Sequence, residues 1–230
     1  MSDPDTQRST RATGLAGLAS FILVVAAALV QPPLWLAPET TASMARVAAY
    51  AQHDQGRATA SLFMYAVAMG LFLCFAAGLW TRLRRIAPDV PSVSGAFALG
   101  AVALVVLILA AFAPGAVFSY RLHDPALAEA LRDVTFGLLA MSGIPTAVCL
   151  GAYAALVLRG GSLPVWTAWL ALLAALAHVF IAASFMSHGG FLSLEGSVIV
   201  WVPGTFFAWI LATSVVLLRR APEVVPLAAS

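Results

Sequence analysis

The stretch Val93-Ser-Gly-Ala-Phe-Ala-Leu-Gly-Ala-Val-Ala-Leu-Val-Val-Leu-Ile-Leu-Ala-Ala-Phe112 runs for 20 residues without a charge. At about 1.5 Å per residue, a helix of that length covers about 30 Å, the thickness of bilayer hydrocarbon. A membrane strand would alternate apolar and polar residues, whereas a continuously apolar segment satisfies its own backbone only as a helix. Gly14 to Val30, Ala58 to Trp80, Val134 to Leu158, Val165 to Phe185 and Val198 to Leu218 read in the same way. The expected fold is all-α: a polytopic membrane protein, six transmembrane helices in one bundle, with tails at 1–13 and 221–230.

The whole chain supports this reading. Of its 230 residues 62% are hydrophobic and 10% charged, with a mean hydropathy of +0.95, where a soluble domain carries about 25% charge. The net charge of +2 is spread along the chain, so no basic surface exists to neutralise many nucleic-acid phosphates. Nucleic acid is not an expected partner. Cys74 and Cys149 sit inside apolar runs, where thiols are packing residues, and indicate neither a disulfide framework nor a thiolate metal site. HExxH, paired CxxC and Gly-rich phosphate loops are absent from the sequence. No metal and no cofactor is expected.

Every basic residue is an arginine, and eight of the twelve fall on one side of the six spans. These are Arg8, Arg11, Arg82, Arg84, Arg85, Arg159, Arg219 and Arg220; Arg46, Arg57, Arg121 and Arg132 fall on the other. The positive-inside bias puts both termini in the cytoplasm. Trp80, Trp166 and Trp169 suit the inner aromatic belt, Trp35 and Tyr120 the outer one. Arg8 and Arg11 ahead of an apolar run containing Ala26-Ala27-Ala28 also fit a cleaved secretory signal. That run exceeds the usual apolar region of a signal, and cleavage leaves an odd number of spans, so retention is the expectation.

In the first outer loop, Thr40 or Thr41 can cap a surface helix bearing Met44, Val47, Ala48 and Ala51, ended by Gly56. Asp124-Pro125 is a helix start, so the fourth helix should begin there and project about two turns beyond the membrane. His53-Asp54, His123-Asp124, Asp133, His188 and Glu195 share the outer side. Imidazole beside carboxylate could perform acid/base chemistry or bind a divalent metal; wet loops are also where the polar residues of so apolar a chain must go.

His178 is the one histidine deep inside a span, which makes it a functional candidate. Ala168, Ala171, Ala175, His178 and Ala182 fall at helical spacing, so the imidazole lies on a small-residue seam facing protein. The alternative role is a neutral histidine that locks helix packing. Ala66, Gly70, Cys74, Ala77 and Thr81 make a second seam that invites close approach. Pro145 should kink the fourth span and free the carbonyl of Met141; Pro203 should do the same for Ile199 in the sixth. His178, Ser142, Pro145, Thr146, Pro203 and Thr205, with Ser184 nearby, are the candidate lining of a small polar pocket open to the outer leaflet. Helices broken near the midplane mark substrate sites in transporters, while proline kinks alone are common packing detail. No Asp or Glu lies in any span core, which removes the usual coupling carboxylate.

Gly160-Gly161-Ser162-Leu163-Pro164-Val165-Trp166-Thr167-Ala168-Trp169, followed by an alanine-rich helix with His178, resembles a pattern in uncharacterised bacterial six-helix membrane proteins. Leu79 to Arg85 is similar to their inner loop. The resemblance implies a bacterial inner-membrane protein and brings no activity or catalytic residue. The leading functional expectation is a non-enzymatic membrane protein that binds or passes a small apolar or lipid-like ligand. The alternatives are a membrane-embedded enzyme using the outer His and acid residues on a lipidic substrate, and a scaffold, homo-oligomer or subunit of a membrane complex. Membrane lipid is the expected partner in each case.

Overall fold

The computed structural model describes residues 4–31, 43, 45–46, 49, 53–118, 125–161, 163–186 and 197–220. Its helices are α1 (Pro4–Val30), α2 (Gln55–Ile86), α3 (Pro91–Phe118), α4 (Pro125–Met141), α5 (Gly143–Gly160), α6 (Val165–Ala183) and α7 (Ser197–Arg220). A 3-10 turn at Ser184–Met186 extends α6, and no strand occurs among the described residues. Helices α4 and α5 follow one another into a single span, so six segments are long and apolar enough to cross a bilayer.

The spans pack as a closed ring, α1 to α2 to α3 to α4–α5 to α6 to α7, with α7 returning to α1. Between apolar helices in lipid, association rests on packing rather than on expulsion of water. Here the packing is aromatic. Phe206 of α7 meets Phe72 of α2 with ring centroids 5.2 Å apart, and Trp209 meets Tyr153 of α5 at 5.0 Å and Phe75 at 5.9 Å. Phe97 of α3 reaches Tyr153 at 6.5 Å. Most of these pairs are edge-to-face or tilted, as ring quadrupoles favour. The column occupies the axis of the bundle, and Phe72, Phe75, Phe97, Tyr153 and Trp209 are completely buried.

Close contacts fix the helix directions. Gly14 of α1 faces Leu218 of α7, Gly78 of α2 faces Thr13 of α1, and Gly160 of α5 faces Ile86 at the end of α2. The start of α1 and the ends of α2, α5 and α7 therefore lie at one end of the bundle, together with all eight arginines counted above. Arg57 and Arg132 lie at the opposite end. Gly161, at φ +63°, stops α5 in the left-handed region and lets the chain turn into α6 within a few residues.

Several local expectations change. The fourth span runs from Ala126 to Gly160 with an interruption of one residue at Ser142, whose backbone stays right-handed helical. The interruption falls beside the Met141 carbonyl, to which Pro145 has no N–H to donate, while Ser142 and Thr146 still bond to the Leu138 and Ser142 carbonyls across it. Helix α3 runs through Pro114 to Phe118, beyond the expected Phe112, because one lost hydrogen bond does not end an otherwise intact helix. Helix α4 does begin at Pro125; Asp124 lies outside the described residues. So do Met44, Val47, Ala48 and Ala51 of the expected surface helix, while Gly56 sits in the first turn of α2 instead of ending that helix.

The seam on α6 is buried as expected, with His178 only 5% exposed. The seam on α2 is not. Gly70, Cys74, Ala77 and Thr81 face outward, and α2 instead presents Ala68, Met69, Phe72, Phe75, Ala76, Leu79 and Leu83 to the interior. The larger side chains win the inward position because they fill the axis, leaving the small ones towards lipid.

Candidate ligand-binding site

The side chains expected to line an outer pocket are near one another but turn to their own helices. Ser142 Oγ donates to the Leu139 carbonyl at 2.6 Å and Thr146 Oγ1 to the Ser142 carbonyl at 2.7 Å. Thr205 Oγ1 donates to the Val202 carbonyl at 2.6 Å. None of the three thus serves the carbonyls of Met141 or Ile199 that Pro145 and Pro203 leave without a helical donor. His178 Nδ1 lies 2.7 Å from the Ala174 carbonyl; a carbonyl only accepts, so Nδ1 carries the proton. The other side of the ring meets Phe206 edge-on at 5.9 Å.

The break at Ser142 presses directly on this part of α6. A Cβ on Gly143 would overlap the His178 carbonyl oxygen and stand 3.1 Å from the Ala182 nitrogen. Ala140, Ile181 and Val202 pack together beside it. Ser184, fully buried, has an Oγ without a hydrogen-bond partner. The structure thus brings α4–α5, α6 and α7 together around His178.

The polar residues expected on the outer side are only partly described. Asp54 pairs with Arg57 at 3.2 Å, and Arg57 also reaches the carbonyls of Val30 and Gln31. Asp133 lies 3.8 Å from Arg132 Nε. Among the described residues no three His, Cys, Asp or Glu side chains gather as a metal site would require. His123, His188 and Glu195 lie outside the described residues.

Two concavities stand out elsewhere. One is an open groove of about 670 Å³ along Gln55, Gly56, Thr59, Ala60 and Phe63. The other, at the arginine-rich end, is a cavity of about 230 Å³ between α1, α2 and α7, bordered by Thr10, Thr13, Gly78, Arg82, Arg85 and Leu217 among others. At its edge Gly78 packs directly against the Thr13 side chain, which leaves no room there for a Cβ.

A buried polar cluster lies between α5, α6 and α7. Tyr153 of α5 donates to Thr167 Oγ1 of α6 at 2.8 Å, and Thr167 donates on to the Pro164 carbonyl at 2.7 Å. The Tyr153 hydroxyl also interacts with Thr213 and Trp209 of α7 and, at longer range, with Arg82. Yet Trp209 Nε1, Thr213 Oγ1, Ser214 Oγ and Arg82 Nε are all buried without a well-formed hydrogen bond. This is unusual within the chain. Helical hydroxyls elsewhere, such as Thr13, Thr59, Ser61, Thr81, Ser94 and Thr135, donate back to a carbonyl three or four residues earlier. Thr213 and Ser214 do not, although both are fully buried.

Sequence reasoning missed this cluster for a physical reason. Thr213-Ser214 in an alanine- and valine-rich helix reads as two tolerated hydroxyls, and only the packing shows that Thr213 meets the Tyr153 hydroxyl while Ser214 sits against Gly17 of α1. The one available signal was Arg82, standing a turn inside the Arg84-Arg85 pair.

No protein-family model, no curated protein and no solved structure matches the chain.

Proposed function

We propose that this chain is a non-enzymatic protein of a bacterial cytoplasmic membrane, with both termini inside, that binds a small lipid-like amphiphile. The polar end of the ligand occupies the cavity beside Arg82, and its apolar part leaves between the helices towards lipid. The observation that carries this reading is Arg82, which lines that cavity and holds its Nε buried without a hydrogen-bond partner. Away from water each unsatisfied group is worth several kcal/mol, so a polar ligand head that supplies partners is strongly favoured.

Two further facts support it. A volume of about 230 Å³ falls below the roughly 300 to 1,000 Å³ of pockets that enclose a whole drug-sized ligand, so it suits a head group alone. The aromatic column along the axis favours binding over passage. The arginine excess at the terminus-bearing end supports the orientation, and the resemblance to bacterial six-helix membrane proteins supports the membrane.

The test is lipid analysis of the protein purified in mild detergent. The expected result is a stoichiometric amphiphile that the variant Arg82→Gln loses while staying folded. An identical lipid profile in both proteins overturns the reading.

A second reading, association of copies or a role as a subunit of a membrane complex, is favoured by the outward seam of Gly70, Cys74, Ala77 and Thr81 on α2. Small residues on a lipid-facing stripe allow close helix approach. Mass measurement in nanodiscs, comparing the natural chain with Gly70→Leu, tests it.

A further inference from the structure

We infer that the polar group received by the cavity between α1, α2 and α7 is a phosphate-type anion, held by Arg82 and Arg85. This rests on the binding reading above and names the chemistry of the ligand's head.

Two guanidinium groups meet there. Arg82 and Arg85 both line the cavity. Among the described residues neither Arg82 nor Arg85 is paired with a carboxylate, unlike Arg57 with Asp54 and Arg132 with Asp133 at the opposite end. Arg82 Nη1 has only a long contact, 3.4 Å, to Thr10 Oγ1, and its Nε is buried with no partner. Arg84, by contrast, turns away and lies over the Trp80 ring at 5.0 Å. So within one short basic run, one arginine is spent on an aromatic ring and two are left pointing into a cavity.

Like charges held together in a partly desolvated site favour the arrival of an anion, and the planar fork of arginine matches phosphate oxygens two at a time. Thr13 and Thr81 commit their protons to the Ser9 and Ala77 carbonyls, so an anion there is held by the arginine N–H groups. The depth is also right. Arg82 stands four residues before the end of α2, about 6 Å along the helix axis. That is head-group depth at a membrane face, where basic pockets between helices take anionic lipid heads. The phosphate belongs either to a lipid or to a soluble phosphate.

The experiment uses the full chain in a neutral detergent, with three probes: dihexanoyl phosphatidic acid, dihexanoylglycerol and inorganic phosphate. Binding is followed by thermal shift and calorimetry for the natural chain and for Arg85→Gln. Arg85 is exposed and unpaired, so this variant keeps the fold; Arg82→Gln is measured alongside, with its melting temperature as the folding control. The expected result is saturable binding of phosphatidic acid, weakened about tenfold by Arg85→Gln through loss of a charge-assisted hydrogen bond. Dihexanoylglycerol should bind at least about tenfold more weakly than phosphatidic acid on the same grounds.

Inorganic phosphate distinguishes the sources. If it binds as well as phosphatidic acid and is equally weakened by Arg85→Gln, the ligand is a soluble phosphate; if it does not bind, the phosphate is that of a lipid. Equal binding of phosphatidic acid and dihexanoylglycerol, unchanged in Arg85→Gln, overturns the anion while leaving an amphiphile site. Binding of no probe overturns both.

Discussion

Tyr153 on α5 donates a hydrogen bond of 2.8 Å to Thr167 on α6, and both residues are fully buried. The bond ties together the two helices on either side of the Gly160-Gly161 turn at the arginine-rich end. It also orients the Tyr153 ring against Trp209, 5.0 Å away. Hydrogen bonds between membrane helices contribute about 0.6 kcal/mol on average, because the unfolded chain in the membrane also finds partners. Tyr153→Phe, which keeps the ring, should therefore lower stability by about that amount. Trp209→Ala empties the centre of the aromatic column and should cost about 3 kcal/mol or more. Reversible unfolding in mixed micelles measures both, and a larger loss for Tyr153→Phe would show that the hydroxyl anchors more than Thr167.

Gly143 and Gly151 lie on the same helix and should respond oppositely to alanine. At Gly143 the added methyl group runs into the His178 carbonyl, a backbone atom that cannot rotate aside. Helices α5 and α6 must separate, and Gly143→Ala should destabilise by about 1 to 3 kcal/mol, the usual penalty of overpacking. At Gly151 nothing stands within 4 Å of a Cβ. Gly151→Ala should then be neutral or stabilising by up to about 1 kcal/mol, the helix-propensity difference. Melting temperatures of the two variants check the pair of signs together.

Much of this fold was legible in the sequence, and the part that was not follows from the nature of the code. Continuous apolar runs specify six spans, because a backbone in lipid has one way to satisfy itself within a segment. Pro125 started α4, and the position of His178 on an alanine seam predicted its burial. Which stripe of a uniformly apolar helix turns inward was not legible on α2, since Gly70-Cys74-Ala77 and Phe72-Phe75-Leu79 are both seams; volume in the ring's centre decided between them. The polar cluster at Tyr153, Thr167 and Thr213 was hidden because it joins residues on three helices, each unremarkable alone.

His178 offers a direct comparison between packing and chemistry. Its Nδ1 bonds to the Ala174 carbonyl within its own helix, and its ring edge meets Phe206. His178→Leu keeps a side chain of comparable bulk and removes no bond between helices. Stability should change by less than about 1.5 kcal/mol, as for volume-conserving swaps, and binding of an amphiphile at the Arg82 cavity should be unaffected. A loss of ligand with the fold intact would return the binding site to the α4–α5 break.

Orientation follows from one labelled position. Arg84 lies at the end of α2 among the clustered arginines, the end that the positive-inside bias assigns to the cytoplasm. A cysteine introduced by Arg84→Cys should resist a membrane-impermeant maleimide in intact cells and react in inverted vesicles. Reaction from outside the cell reverses the threading.

The natural cysteines report on association of copies without further engineering. Cys74 faces outward on the small-residue stripe of α2, between Gly70 and Ala77, whereas Cys149 is completely buried. Two copies meeting along this stripe bring their backbones close enough for Cys74 to face Cys74, since a disulfide requires Cα atoms about 4.4 to 6.8 Å apart. A lipid-soluble copper oxidant applied to native membranes should therefore yield a dimer that reductant reverses, and Cys149→Ser should leave its yield unchanged. Gly70→Leu places a bulky side chain on the stripe and should abolish crosslinking while keeping the monomer's melting temperature, because nothing in the bundle stands within 4 Å of a Cβ at that position. Crosslinking that survives Gly70→Leu would put the contact on another face, and no dimer at all would leave the stripe to lipid.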